Sequence, residues 1–394
     1  MKTVPLGQLC DVQIGKTPKR AEQRYWSGGQ HDWLSIKDMD QGRSLCRTAE
    51  QITQSAVDEL NCRLVEPGTV LLSFKLSIGK VGIAAAPLYT NEAIAHLPIV
   101  DPSLDRDFLY WALKTIPLTG GADRAAMGST LNKSKLKQLK IPLPPIEEQR
   151  RIAAVLDAAD DLRTKRRQAL AKLDTLTQAI FIDMFGDPVT NPFGWRKVPL
   201  SKLLDRIDSG KSPVCEPERP SDGQWGVLKA GAVTYCEYDP DAVKTLPKDV
   251  PPHSHSEVKV GDVLFARKNT HALVAACAYV RSTPDRRLLS DLIFRLVIDE
   301  DVELDPQYLQ QVLVSSRQRR EVQKLAGGAA GSMPNISKSK LMGVEIPVPD
   351  IQTQLIFGER VDKVLVGRDK LQGSGAELDT LFASLQQRAF AGEL

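Results

Sequence analysis

Apolar residues in this chain recur in two rhythms, and the rhythm changes at definite places. After Ile141-Pro142-Leu143-Pro144-Pro145 no proline occurs until Pro188. Within that stretch apolar positions return every seven residues. Ile152, Ala159, Leu173 and Ile180 form one row, broken by Arg166, and Val155, Leu162, Ala169 and Leu176 form another. Proline fits before or in the first turn of a helix, not inside it. A seven-residue row marks a helix that lies along another helix. The end of the chain repeats the pattern with Phe357, Val364, Leu371, Leu378 and Leu385. Segments 141–187 and 346–394 are therefore expected to hold long helices, about 40 residues and roughly 60 Å each at 1.5 Å per residue. Gly373 and Gly375 loosen the second, each costing about 1 kcal/mol against alanine. Such helices could pair with each other or each serve its own globule. Two aligned rows favour the pair, formed through Ile152, Val155, Leu162, Leu173, Leu176, Val364, Leu371, Leu378 and Leu385.

Segments 1–140 and 188–345 carry the other rhythm. VEPGTVLLSFK and VKVGDVLFARK are short β-rich runs bounded by Gly and Pro. Helical spacing returns at FLYWALKT and QYLQQVLVSS. Each segment reads as a mixed globule of short strands, loops and a helix.

The two globules repeat each other. Val4-Pro5-Leu6 reappears as Val198-Pro199-Leu200, and Gly15-Lys16-Thr17-Pro18 as Gly210-Lys211-Ser212-Pro213. Trp33 with Lys37 matches Trp225 with Lys229. Val65 to Leu71 matches Val258 to Leu264, leading to Lys75 and Lys268. Leu104-Asp105 matches Leu304-Asp305, and Gly128-Ser129 with Asn132 matches Gly331-Ser332 with Asn335. Ile141-Pro142-Leu143-Pro144 matches Ile346-Pro347-Val348-Pro349, with Gln149 and Gln354 five residues beyond. Order is kept throughout, so the chain is a duplicated globule-plus-helix unit, too large for a solenoid repeat.

Composition narrows the functional classes. No run of about 18 apolar residues exists, and the first residues lack the apolar core of a signal peptide. Six scattered cysteines with no C-x-x-C pair argue against a zinc ribbon and against a disulfide framework. A cytoplasmic location is expected. Catalytic patterns are missing: there is no phosphate-loop motif, no dinucleotide-binding glycine motif and no nucleophile elbow. Asn191-Pro192-Phe193 resembles an amino-methyltransferase motif, but it lies in a turn-rich linker and reads as a turn. No metal or cofactor site is expected in this chain.

Basic and polar residues stand out instead. Arg124, Lys133, Lys135, Lys137 and Lys140 occur without an acid between them, and Lys324 to Lys340 repeats the trend. Such side chains bind phosphate oxygens. Lys and Arg can read guanine, and Asn adenine, in the major groove. The candidates for DNA contact are Lys16, Lys37, Lys75, Lys80, Asn132, Lys133, Lys135, Lys211, Lys229, Arg267, Lys268, Asn269, Asn335 and Lys338. A solvated face is the plain alternative. A protein-binding scaffold, or an enzyme with a divergent site, also stays open at this point.

Ile141-Pro142-Leu143-Pro144-Pro145-Ile146-Glu147-Glu148-Gln149-Arg150-Arg151-Ile152, continuing to Phe185-Gly186, resembles the central conserved region of type I restriction-modification specificity subunits. Residues 346–394 are similar to their distal conserved region, and the Val-Pro-Leu openings to the starts of their target-recognition domains. The resemblance implies an α+β chain. Two similar target-recognition domains would stand in pseudo-twofold arrangement, separated by an antiparallel coiled coil of the two long helices. It implies that each domain reads one half of a split double-stranded DNA site and that the helices set the gap. It further implies partners: two methyltransferase subunits using S-adenosylmethionine, and restriction subunits (translocase and nuclease) using ATP and Mg. This chain itself would catalyse nothing.

Overall fold

The computed structural model describes residues 2–118, 131–328 and 333–394. The chain forms two compact units. The first comprises Met1–Gln168 with Gly373–Leu394, and the second Ala169–Gln372. Each unit therefore contains one globule and parts of both long helices.

In the first unit a five-stranded sheet runs in the order Gln13–Ile14, Ile94–Leu97, Val70–Ser73, Val81–Ala84, Ser44–Leu45. All pairings are antiparallel except the last, which is parallel. A three-stranded sheet, Glu50–Ile52, His31–Leu34, Tyr89–Thr90, accompanies it. The second unit has a four-stranded antiparallel sheet, Leu204–Ser209, Ile293–Ile298, Val263–Ala266, Cys277–Tyr279, and a three-stranded one, Val243–Thr245, Gly226–Leu228, Arg287–Leu288. The two expected β-rich runs are a turn followed by a strand. Gly68 and Gly261 take left-handed φ values of 85° and 96° just before strands Val70–Ser73 and Val263–Ala266, a conformation glycine adopts at little cost.

The repeated motifs meet one another. Val-Pro-Leu pairs with Ile-Pro in each repeat: Val4 lies opposite Ile141 and Val198 opposite Ile346 in short antiparallel ladders. The start of each globule is thereby bonded to its end, immediately before a long helix begins. Gln149 and Gln354, both wholly buried, fix that junction. The Gln149 carboxamide accepts from the Asp105 N–H (2.8 Å) and donates to the carbonyls of Ser103 and Pro144 (2.8 Å each). Gln354 accepts from the Asp305 N–H (2.8 Å) and donates to the carbonyls of Pro349 (2.8 Å) and Glu303 (3.4 Å). Asp105 and Asp305 in turn cap the expected helices, Arg106–Thr115 and Pro306–Val314, by accepting N–H bonds in the first turn. The Leu-Asp and Gln repeats are thus two halves of one clip.

The long helices span Ile146–Phe185 and Ile351–Ala391. In the first unit Arg151 reaches the Leu394 carbonyl (2.7 Å), Arg163 pairs with Asp379 (2.6 Å) and Arg166 bonds Ser374, so the two helices run antiparallel. In the second unit Phe181 and Phe185 pack on Phe357 at 5.7 and 5.5 Å between ring centroids. The C-terminal end of each helix is built into the core of the other repeat's globule. Phe390 stacks on Phe108 (5.4 Å) and Phe382 on Trp111 (5.6 Å), while Phe185 packs on Tyr308 (4.8 Å).

One row of the expected seam is displaced. Ile152 is buried and Leu173, Val364, Leu371, Leu378 and Leu385 are half-buried. Leu162 and Leu176, however, are 48% and 37% exposed, and Val155 is only half-buried. The inward row lies one residue later: Leu156 has no exposed surface, and Arg163, Leu170, Thr177 and Met184 follow at intervals of seven, all half-buried. Rows three and four residues from Ile152 flank the same face, and apolarity alone favours the former. The latter wins because Arg163 lies over the Phe382 ring (4.2 Å) while its guanidinium meets Asp379. A cation is accommodated where a purely apolar row was expected. Gly375 faces the Arg166 stem, whereas a side chain at Gly373 would meet open space.

Candidate nucleic-acid interface

The first globule gathers three of its expected basic residues. The loop between strands Val70–Ser73 and Val81–Ala84 exposes Lys75 and ends at Lys80. Lys80 donates to the Ile36 carbonyl (3.2 Å) and pairs with Asp40 (2.6 Å), so it is held beside the exposed Lys37. Lys37 and Lys75 are exposed, the Lys75 ammonium lying 5.5 Å from the Phe74 ring centroid, while Lys80 spends its charge tying two loops together. Lys16 is exposed but its ammonium bonds the Leu60 carbonyl. Its neighbour Gly15 lies so close to the Thr90 carbonyl that a Cβ would overlap it, as one at Gly210 would overlap Leu289. The repeated Gly-Lys-hydroxyl-Pro turn is thus a crossing point of two chain segments. Behind it His96 is buried and bonded to Thr90. Burial, aided by the Arg63 charge, pulls its pKa from 6.5 down to about 4, which keeps the ring neutral.

Asn132 begins the short helix Lys133–Gln138, its side chain accepting from the Lys135 N–H (2.9 Å). Its oxygen is therefore used in capping, and the helix presents Lys133, Lys135 and Lys137 to solvent. Arg124, Gly128 and Ser129, like Gly331 and Ser332, lie outside the described residues.

The second globule uses several expected contacts internally. Asn269 is buried: it donates to Thr234 Oγ1 (3.1 Å) and accepts from the Thr270 N–H (2.8 Å). Its amide is turned into the protein. Arg267 donates to Asn335 Oδ1 (3.0 Å) and lies over Phe294 (4.9 Å), occupying both side chains. Lys338 bonds the Ile207 carbonyl. Lys268 is half-buried and its backbone bridges Asn335; Lys229 is half-buried, at the start of a 3-10 turn; Lys211 is exposed. Arg317 pairs with Asp187 (3.4 Å), and Arg319 donates to the carbonyls of Ala272 and Leu273. Lys211, Lys229 and Lys268 thus remain as the cations of this globule that carry no internal side-chain bond among the expected contacts.

Sequence reasoning missed how the globules attach to the helices. Asp157 accepts from Trp111 Nε1 (2.7 Å) and pairs with Arg43, which also meets Asp107 (2.6 Å). In the second unit Asp362 meets Arg281 (3.4 Å), which donates to Gln307 (2.7 Å). Asp157 and Asp362 stand at matching places in the two repeats, eight residues after Gln149 and Gln354. That shared offset was the available signal.

Among the described residues no group of His, Cys, Asp and Glu is placed to hold a metal ion, and no helix is long and apolar enough to cross a membrane.

Residues 1–173 match the family model for the type I restriction modification DNA specificity domain. The chain is 31% identical over 224 residues to the type I restriction enzyme MjaIX specificity subunit of Methanocaldococcus jannaschii, covering 52% of this chain and 51% of the relative. It is 31% identical over 169 residues to the EcoEI specificity subunit of Escherichia coli, covering 43% and 28% respectively. The chain thus spans about half the length, or less, of these curated relatives. A crystal structure of the S subunit of a type I restriction-modification system from M. genitalium superposes over 99% of this chain and 96% of its own, with a TM-score of 0.58 at 16% identity. That likeness is one of fold.

Proposed function

We propose that this chain is a specificity subunit of a type I restriction-modification system, the family whose DNA specificity domain matches residues 1–173 and whose members it resembles over about half their length, and that it reads a bipartite DNA target and leaves all bond-making to other polypeptides. Each globule reads one half of the site, and the helix pair sets the interval between halves. Methyltransferase subunits carrying S-adenosylmethionine, and restriction subunits using ATP and Mg, act on the DNA so chosen. The observation that carries this reading is the reciprocal anchoring of the helices. Phe185 is seated on Tyr308, and Phe390 on Phe108. Helices anchored at both ends suit a spacer better than helices that each serve a single lobe. Leu162 in the first unit and Leu176 in the second leave apolar surface on the central helix for a partner subunit.

Methylation mapping in cells expressing the chain with its methyltransferase subunits tests the proposal. One motif of two fixed blocks around a gap of constant length is expected. Substitutions confined to one globule should alter one block. A contiguous motif, or equal damage to both blocks from one globule's variant, would refute it.

A further inference from the structure

Ser73 ends the strand Val70–Ser73 and has no exposed surface. Its hydroxyl donates to the Ser77 carbonyl and accepts from the Lys80 N–H (2.9 Å). Its backbone N–H donates to the Lys80 carbonyl (2.9 Å), and its carbonyl accepts from Gly79 (3.0 Å). One buried residue thereby fixes both ends of the loop 74–79. At its apex Leu76 takes a left-handed φ of 62° and is 90% exposed.

A lone exposed leucine needs no explanation. This one also occupies a backbone region that disfavours any residue with a Cβ. Asparagine or glycine would be easier there on both counts. Lys75 precedes it, and the partly exposed Ile78 follows two residues on. Backbone strain kept in a well-fixed loop points to a use for the side chain it presents. In the second repeat the residue after Lys268 is Asn269, which is turned inward onto Thr234. The apex chemistry is therefore particular to the first globule.

We propose that Leu76 is a base-reading residue: its side chain contacts the C5-methyl group of a thymine in the major groove, with Lys75 on the adjacent backbone. The thymine methyl is the apolar feature a base pair presents in that groove, and apolar side chains are what read it. The proposal rests on the DNA reading above and deepens it to one residue and one chemical group.

The full-length chain and its Leu76→Ala, Leu76→Asn and Leu76→Met variants are each used to select sites from a randomised duplex pool. Each is then titrated with the best wild-type duplex, every thymine replaced in turn by deoxyuridine, which lacks the methyl. The wild type should lose about fourfold in affinity at one thymine of one half-site, the worth of a buried methyl group. Leu76→Ala and Leu76→Asn should bind both duplexes alike at that position and keep the other half-site intact. Asparagine tolerates the left-handed backbone, so its loss of discrimination separates the side chain's chemistry from loop strain. Leu76→Met should keep the discrimination. A folded Leu76→Ala that still distinguishes thymine from deoxyuridine overturns the proposal alone. A wild type that enriches no motif overturns the DNA reading and this proposal with it.

Discussion

At the residue scale the repeated motifs act mostly as structure. Gly15 and Gly210 sit where two chain segments cross, and a side chain at either would overlap a backbone carbonyl. Gly15→Ala and Gly210→Ala should each cost about 1–3 kcal/mol by forcing backbone shifts, read as a lowered unfolding midpoint of the unit concerned. His96 gives a pH dependence of definite sign. Its pKa is about 4 in the folded chain against 6.5 ordinarily, so between those values the unfolded state binds the extra proton. The stability it confers is complete above pH 6.5 and is lost as pH falls towards 4, at most on the order of 3 kcal/mol. Protection factors for amide exchange in strand Ile94–Leu97, corrected for the intrinsic pH dependence of exchange, should fall across that window, and less steeply in His96→Gln. A parallel fall in both proteins would assign the effect to another group.

At the element scale the long helices depend on which rows face inward. Leu156 has no exposed surface and Leu162 is 48% exposed. Leu156→Ala should destabilise the first unit by about 2–5 kcal/mol, whereas Leu162→Ala should stay within roughly 0.5 kcal/mol. Thermal unfolding of the two variants checks this, and equal losses would restore the original heptad row. If Leu162 meets a partner subunit, its substitution should weaken assembly while leaving folding alone. The glutamine clips make a second case. Gln149→Ala removes three hydrogen bonds at a site without solvent access. Each orphaned backbone group there costs about 1–3 kcal/mol, so the start of the helix should fray and exchange its amides faster.

At the scale of the whole molecule, the two compact units cut the chain differently from its repeats. The last residues of the chain belong to the core of the first unit: Phe382, Leu385, Ala389 and Phe390 pack with Phe108, Trp111, Ile152 and Leu156. Truncation after Leu381 should therefore lower the stability of the N-terminal globule, some 270 residues away in sequence from Trp111, more than that of the second. Limited proteolysis of the truncated chain would reveal it as early cleavage within residues 2–118. DNA affinity, if carried by exposed cations such as Lys37, Lys75, Lys133, Lys135 and Lys211, should fall with log salt at a slope of about −0.9 per phosphate neutralised. Lys75→Ala should reduce that slope by about one such increment, and an unchanged slope would remove Lys75 from the interface.

The sequence by itself settled the duplication, the two long helices, the strand-rich globules and the family resemblance. Each of these follows from local periodicity or from motifs kept in order along the chain. It could not say which basic residues are available, because availability depends on what folding brings near them. Asn269 meets Thr234, Arg267 meets Asn335 and Lys80 meets Asp40 only once distant segments converge. Nor could periodicity choose between Val155 and Leu156. Rows three and four residues from Ile152 flank one helical face alike, and the choice between them was made by Phe382 and Asp379, more than 200 residues away. Tertiary structure also decided that each helix ends in the other repeat's globule, where Phe185 meets Tyr308 and Phe390 meets Phe108, contacts between residues far apart in sequence that local periodicity cannot reveal.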